Sequence, residues 1–336
     1  MVDSGTMFER AHVRLPRRFS SRKSAELIAR AALDKGLKVR KISGDIFLVE
    51  GRGRREFFDA TMAGSISHLA RTIVTSKDLA KLFLSRNGIP VPEGLAFPRR
   101  AVGKAVDFMA RSPGSQFVLK PTNGGLGANV FMGIDGERKL REKIAATPRE
   151  FRRLLLEEQV EGPECRYFAL GDEVIAVAER RPASVKGDGT LTVEDLVAAK
   201  NEARKGHLAL SGIALDGETL ELLAEQGLAP GDVPAPGRVV RLKRVSNISQ
   251  GGDSVDRTDE VHPELKALVV AALRSVPMLP YAGVDVIAED HSAPLAGQRV
   301  AVLELNWFPM LRIHHAPAEG QPRDVAGAII DHLFCR

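Results

Sequence analysis

Asp285 sits in the apolar run Gly283-Val284-Asp285-Val286-Ile287, and in a later apolar run Glu304 and Asn306 alternate with Leu303 and Leu305. Residues two apart on a strand face the same side, so Glu304 and Asn306 point one way and the leucines the other. Two carboxylates and an amide oxygen aimed into one space suit hard Mg²⁺ ions that bridge nucleotide phosphates. A solvated strand face is the plainer reading of an isolated Glu-x-Asn. Asp285 weighs against it, because an acid inside a buried strand needs a partner.

Three other segments carry chemistry of a matching kind. In Lys120-Pro121-Thr122-Asn123-Gly124-Gly125-Leu126-Gly127-Ala128 a short strand delivers a lysine into a glycine-rich turn. Glycines let backbone amides approach phosphate oxygens, and the lysine adds a point charge. The lysine precedes the glycines, so this is neither a P-loop nor GxGxxG, and a flexible hairpin turn fits the segment equally well. The run Leu155-Leu156-Glu157-Glu158-Gln159-Val160-Glu161-Gly162-Pro163-Glu164 leaves a strand into acids. Its backbone could pair with an adenine edge and a carboxylate beyond it with ribose hydroxyls, while a charged surface loop is the bland alternative. Arg241 to Gly252 (RLKRVSNISQGG) combines cations, small polar residues and a glycine pair. It could clamp a transferring phosphoryl group or be a plain basic turn.

The elements that must position these residues are legible from periodicity. Leu27, Ile28, Ala31 and Ala32 predict a helix over 24–35 stopped by Gly36, followed by strands at 37–42 and 46–50. Thr75 and Asp78 read as a capping box opening a helix with Leu79, Leu82 and Phe83 inward, closed by Asn87-Gly88. A helix over 101–110 precedes the strand 117–119. Further strands are expected at 154–160, 167–170, 174–178, 239–242, 284–288 and 300–305. Thr192 and Asp195 cap a helix to about Arg204, and 261–276 and 323–334 form the last helices. The expectation is a mixed α/β (α+β) architecture without internal repeats.

With 336 residues, 44% of them hydrophobic, the chain can bury a sizeable core. A net charge of +5 suits nucleic acid or an anionic small molecule. The basic clusters Arg14 to Arg18 and Arg52 to Arg55 lack interleaved aromatics, which argues against nucleic acid. Cys165 and Cys335 form no metal or disulfide pattern. No stretch approaches the roughly 20 apolar residues of a membrane span, and no apolar h-region follows the charges near the N-terminus. A cytoplasmic protein without membrane contact is expected, with residues 1–22 as a polar lead-in.

Taken in order, these segments resemble the ATP-grasp superfamily, nearest to the ATP-grasp region of cyanophycin synthetases and bifunctional glutathione synthetases. The matching residues are Ser76-Lys77, Val118-Leu119-Lys120-Pro121, Glu161-Gly162-Pro163-Glu164, Ala178-Glu179-Arg180 with Gly187-Asp188-Gly189, Asn247-Ile248-Ser249 with Gly251-Gly252, Glu304-Leu305-Asn306 and His314-His315-Ala316-Pro317. The resemblance implies two α+β subdomains gripping ATP, over residues 75–160 (lid) and 161–336 (metal site), after a small α/β unit over 1–74. It implies that Lys77 and Lys120 contact the nucleotide phosphates under a lid formed by Gly124, Gly125 and Gly127. Glu158, Gln159 and Val160 would be the adenine hinge, with Glu157 beside it and Glu164 on the ribose. Asp285, Glu304 and Asn306 would hold two Mg²⁺ ions, with Mn²⁺ as a substitute. Arg180, Arg244 and Asn247 would stabilise the phosphoryl group, and Arg312 would pair with a substrate carboxylate.

The implied activity is ATP-dependent ligation of a small-molecule carboxylate to an amine, an amino acid or peptide, through an acyl phosphate. A phosphotransferase and a nucleotide binder without turnover are the rival readings, and a homodimer is common among resembling enzymes. Cyanophycin synthetases continue into a Mur-ligase-like domain, whereas this chain ends at Cys335-Arg336. It is therefore expected not to perform both halves of that polymerisation. Trp307-Phe308-Pro309-Met310 stands where many relatives have a Pro-Gly, which is expected to enlarge the side chains beside the reacting carboxylate.

Overall fold

The computed structural model describes residues 23–124 and 129–335, so the lead-in and the lid residues Gly125 and Gly127 lie outside the described residues. The chain opens with α1 (Lys23–Asp34), stopped by Gly36 at φ 74°. An antiparallel meander follows: β1 (Lys38–Ser43), β2 (Ile46–Gly51), β3 (Arg54–Asp59) and β4 (Met62–Ala63). The basic run at Arg52 to Arg55 contains the β2–β3 turn, where Arg52 and Gly53 take positive φ.

Two helices lead out of this unit, α2 (His68–Thr75) and α3 (Lys77–Arg86). The capping box expected from Thr75 and Asp78 does not form. Thr75 is the last residue of α2, so it lacks the extended backbone a cap requires. Ser76 stands between the helices and donates to Asp78 Oδ1 at 2.6 Å without capping an amide. Leu82, expected inward, is 43% exposed, and Lys81 is buried with Ala80 and Leu84 instead.

The second unit comprises β5 (Gly94–Pro98), α4 (Val102–Met109), β6 (Phe117–Pro121), β7 (Phe131–Ile134), α5 (Glu137–Ala146) and β8 (Arg153–Glu158). Its antiparallel sheet runs β5-β8-β6-β7. Phe97, Phe108, Phe117, Leu119, Leu140 and Leu156 give it a core of its own.

The remaining chain contributes β9 (Glu164–Leu170), β10 (Glu173–Arg181), β11 (Ser184–Lys186), α6 (Val193–Ala203), α7 (Gly217–Glu225), β12 (Val239–Arg241), β13 (Asp253–Asp256), α8 (Pro263–Arg274), β14 (Tyr281–Ala288), β15 (Val300–Asn306), α9 (Arg312–His315) and α10 (Val325–Phe334). Five of these strands form a sheet in the order β13-β10-β9-β14-β15. The capping box of Thr192 and Asp195 forms as expected at the head of α6. The core of this sheet is continuous with that of the N-terminal unit, joining Phe47, Phe58, Ile73 and Leu84 to Phe168, Tyr281, Val284 and Ile329. Tyr281 seals the junction by donating to Thr61 O at 2.7 Å and accepting from Ala63 N at 2.9 Å. Among the described residues no helix is long and apolar enough to cross a membrane.

Candidate functional site

Three adjacent strands bring the acidic cluster together. Asp285 on β14 lies opposite Glu304 on β15 and opposite Arg166 on β9. Arg166 Nε and Nη2 donate to the two Asp285 oxygens, each at 2.6 Å, and Nη2 lies 3.9 Å from Glu304 Oε1. Arg180 on β10 approaches Asp285 Oδ2 to 3.3 Å and pairs with Glu164, whose other oxygen accepts from the Ser246 hydroxyl. Asn306 Nδ2 donates to Glu304 Oε1 at 3.2 Å. Asp285 is 2% exposed. Burial would push its carboxyl up, but Arg166 and Arg180 hold it well below the usual carboxylate range. Burial likewise works against the Arg180 charge, and Asp285, Glu164 and Glu304 outweigh it.

Lys77 links this cluster to the second sheet. Its Nζ lies 3.6 Å from Glu304 Oε2 and donates to Gly124 O at 2.8 Å, while its amide donates to Thr122 O at 2.9 Å. The head of α3 is thereby fastened to the segment that leaves β6.

One turn along α3, Lys81 enters a second charged group. Glu157 is buried between Lys81, 3.0 Å away, and Lys120, which pairs with its other oxygen. Gly94 permits this approach, since a Cβ there would lie 2.9 Å from Glu157 Cβ. Burial would raise the Glu157 carboxyl, but Lys120 and Lys81 hold it below its ordinary value. Burial pulls the Lys81 ammonium down to about 8, with Glu157 opposing and Lys120 reinforcing the fall.

The expected hinge follows β8 directly. The amides of Glu158 and Gln159 donate to Glu93 O and Gln116 O, each at 2.8 Å, and the Gln159 side chain accepts from Gly133 N at 2.9 Å. Val160 follows β8, is buried, and belongs to no strand pair. Glu158 Oε2 is 3.1 Å from Arg299.

The other expected residues are placed differently. Arg244 is exposed and paired with Glu225 on α7. Asn247 caps a 3-10 turn over Ile248–Gln250, its side chain accepting from Ser249 N at 2.9 Å. Arg312 is half-buried with its Nε partnerless, and burial lowers its pKa. His314 is buried against Phe168 and pushed down to about 3, chiefly by burial. His315 Nε2 accepts from Ala326 N at 3.1 Å, which ties the end of α9 to the head of α10. Trp307 packs on α2, donating to Thr75 Oγ1 at 3.1 Å beneath Arg71.

Sequence reading missed Arg166, Ser246 and Lys81. Arg166 had a readable signal, since it stands two residues after Glu164 and so shares its strand face. Lys81 follows Lys77 by one helical turn.

Among the described residues no three His, Cys, Asp or Glu side chains come together as a metal site. A divalent ion here would therefore rest on two carboxylates and an amide. The donors are hard oxygens, Glu304 is 31% exposed at the rim, and Asp285 lies behind Arg166, so the set fits Mg²⁺ if Arg166 yields the Asp285 oxygens.

A small antiparallel sheet and a larger one, meeting over a carboxylate-amide cluster flanked by lysines, make up the ATP-grasp fold. The chain is 32% identical over 317 residues to the cyanophycin synthetase of Nostoc sp., covering 93% of this chain and 35% of that protein. It is 36% identical over 286 residues to the glutathione biosynthesis bifunctional protein of Mannheimia succiniciproducens, covering 82% of this chain and 37% of that one. The crystal structure of a bifunctional glutathione synthetase from Pasteurella multocida superposes with a TM-score of 0.69 at 29% identity, covering 93% of this chain and 43% of that chain. No protein-family model matches the sequence. The chain has the ATP-grasp fold and is a homologue of the ATP-grasp region of cyanophycin synthetases and bifunctional glutathione synthetases. It spans little more than a third of the length of these curated relatives.

Proposed function

We propose that the protein is an ATP-dependent carboxylate–amine ligase that joins an amino acid or peptide to a second such substrate and releases ADP and phosphate. The observation that carries this reading is the meeting of Lys77, Glu304, Asn306, Asp285 and Arg180 in one cluster, with the buried Lys120–Glu157–Lys81 group one helical turn along α3. Phosphoryl transfer needs little covalent help from a protein and much positioning and charge neutralisation.

In this reading Lys77 and Lys120 bind nucleotide phosphates, the backbone following β8 receives adenine, and Glu164 serves the ribose. Asp285, Glu304 and Asn306 would hold two Mg²⁺ ions, with Mn²⁺ as a substitute, and the metal would neutralise phosphate charge. A substrate carboxylate oxygen attacks the γ-phosphorus, and the bond to ADP breaks. Arg180 stabilises charge on the transferring group. The amine then attacks the acyl carbon, loses its proton, and phosphate departs. Arg312, whose Nε has no partner, is assigned to a substrate carboxylate.

Mass spectrometry of products after incubation with Mg-ATP and mixed amino acids tests the reading. An amide product with ADP, absent in Asn306→Ala, is expected. A phosphorylated amino acid with ADP would indicate a kinase, and no turnover a binding protein.

A further inference from the structure

Arg166 reaches both of the carboxylates that the ligase reading gives to the metal, from the strand on the far side of Asp285 from Glu304. Its side chain is 11% exposed, its guanidinium spans both Asp285 oxygens at 2.6 Å, and it reaches to 3.9 Å from Glu304. The fold makes room for it. Gly283 is the residue of β14 two before Asp285, and a Cβ there would meet Arg166 Cδ at 3.3 Å and Nε at 3.6 Å, with Pro309 Cβ at 3.5 Å. Any side chain at 283 would crowd the stem of Arg166.

Asp285 and Glu304 face each other in register on adjacent strands. Two neighbouring carboxylates do not stay ionised together inside a protein without positive charge beside them. Arg180 and Lys77 supply part of that charge, and Arg166 adds to it a planar fork that matches a carboxylate. A divalent cation needs the same oxygens, so guanidinium and metal compete for them.

We propose that Arg166 is a positioning residue that holds the divalent cation's place between Asp285 and Glu304 and yields the Asp285 oxygens when the cation binds. The proposal rests on the ligase reading. Metal binding alone must break a bidentate ion pair and is therefore weak. Nucleotide phosphates offer the freed guanidinium a new anionic partner, so metal and nucleotide strengthen each other's binding, equally in both directions.

The test is Mn²⁺ binding to the full chain, read by the EPR signal of free Mn²⁺ with and without ADP. Arg166→Gln is expected to bind Mn²⁺ without nucleotide about tenfold more tightly than the native protein, and to gain less from ADP. A role confined to holding the strands together would leave affinity unchanged or weaken it. That result, in a variant with native circular dichroism, overturns the proposal. If Arg166→Gln does not fold, Gly283→Ala displaces the stem without removing a charge. Tighter Mn²⁺ binding in Gly283→Ala supports the proposal, and no change overturns it. Asp285→Asn separates the two levels of failure. Loss of Mn²⁺ binding in Asp285→Asn without tightening in Arg166→Gln removes the place-holding role alone. Unaltered binding in Asp285→Asn removes the metal assignment and the proposal with it.

Discussion

Lys77 Nζ stands 3.6 Å from Glu304 Oε2, joining the first residue of α3 to the acidic strand β15. The same ammonium holds Gly124 O, so one cation touches both the loop after β6 and the proposed metal strand. Lys77→Met is expected to lower kcat/KM for ATP by about a hundredfold, since it removes a phosphate-side charge from a partly buried site. Steady-state kinetics at varied ATP checks this, and a change below threefold would remove Lys77 from the nucleotide site.

Lys81 predicts a pH effect. With its pKa near 8, the Lys81–Glu157–Lys120 group carries net positive charge below pH 8 and becomes neutral above it. The KM for ATP should rise above pH 8 in the native protein, and the bend should vanish in Lys81→Met. The stability linkage has a definite sign. The folded pKa lies below the ordinary 10.5, so between those values the unfolded chain binds the extra proton and the Lys81 contribution to stability rises with pH. Denaturant titrations at pH 7.5 and 9.5 should show that rise shrinking in Lys81→Met.

Arg312 has its Nε buried without a partner, which favours an arriving carboxylate. Arg312→Ala is expected to raise the KM of one amino-acid substrate by about tenfold or more while leaving that for ATP nearly unchanged. The reverse pattern would take Arg312 out of the substrate site.

Phe97 is fully buried in the core of the second sheet, which is separate from the main core. Phe97→Ala is expected to cost about 3–5 kcal/mol, with the loss concentrated in residues 94–158. Hydrogen exchange should show faster exchange there than in β9 and β14, and uniform acceleration would contradict independent cores.

The strands carrying Asp285, Glu304 and Asn306 were legible because β14 is an apolar run broken by the single acid Asp285 and β15 one that ends on Glu304 and Asn306, two apart. Local spacing puts Arg166 on the strand face of Glu164, but its place opposite Asp285 comes from cross-strand register, a long-range property that local spacing does not encode. Leu82 and Lys81 were exchanged for a related reason. Helical periodicity ranks leucine inside and lysine outside, and only the distant Glu157 makes burial of Lys81 tolerable. β3 was missed because its first half is Arg54-Arg55-Glu56, held in place by pairing with β2 rather than by its own composition. Arg244 looked suited to a phosphoryl clamp from its basic surroundings, yet it lies exposed against Glu225.

The central claim is that a substrate carboxylate takes the γ-phosphoryl group before the amine arrives. Once a product is identified, the acid substrate labelled with ¹⁸O in its carboxylate tests this directly. Attack through a carboxylate oxygen transfers one ¹⁸O to each phosphate released during amide formation, as mass spectrometry of the phosphate would show. Unlabelled phosphate accompanying a formed amide would contradict the acyl-phosphate route.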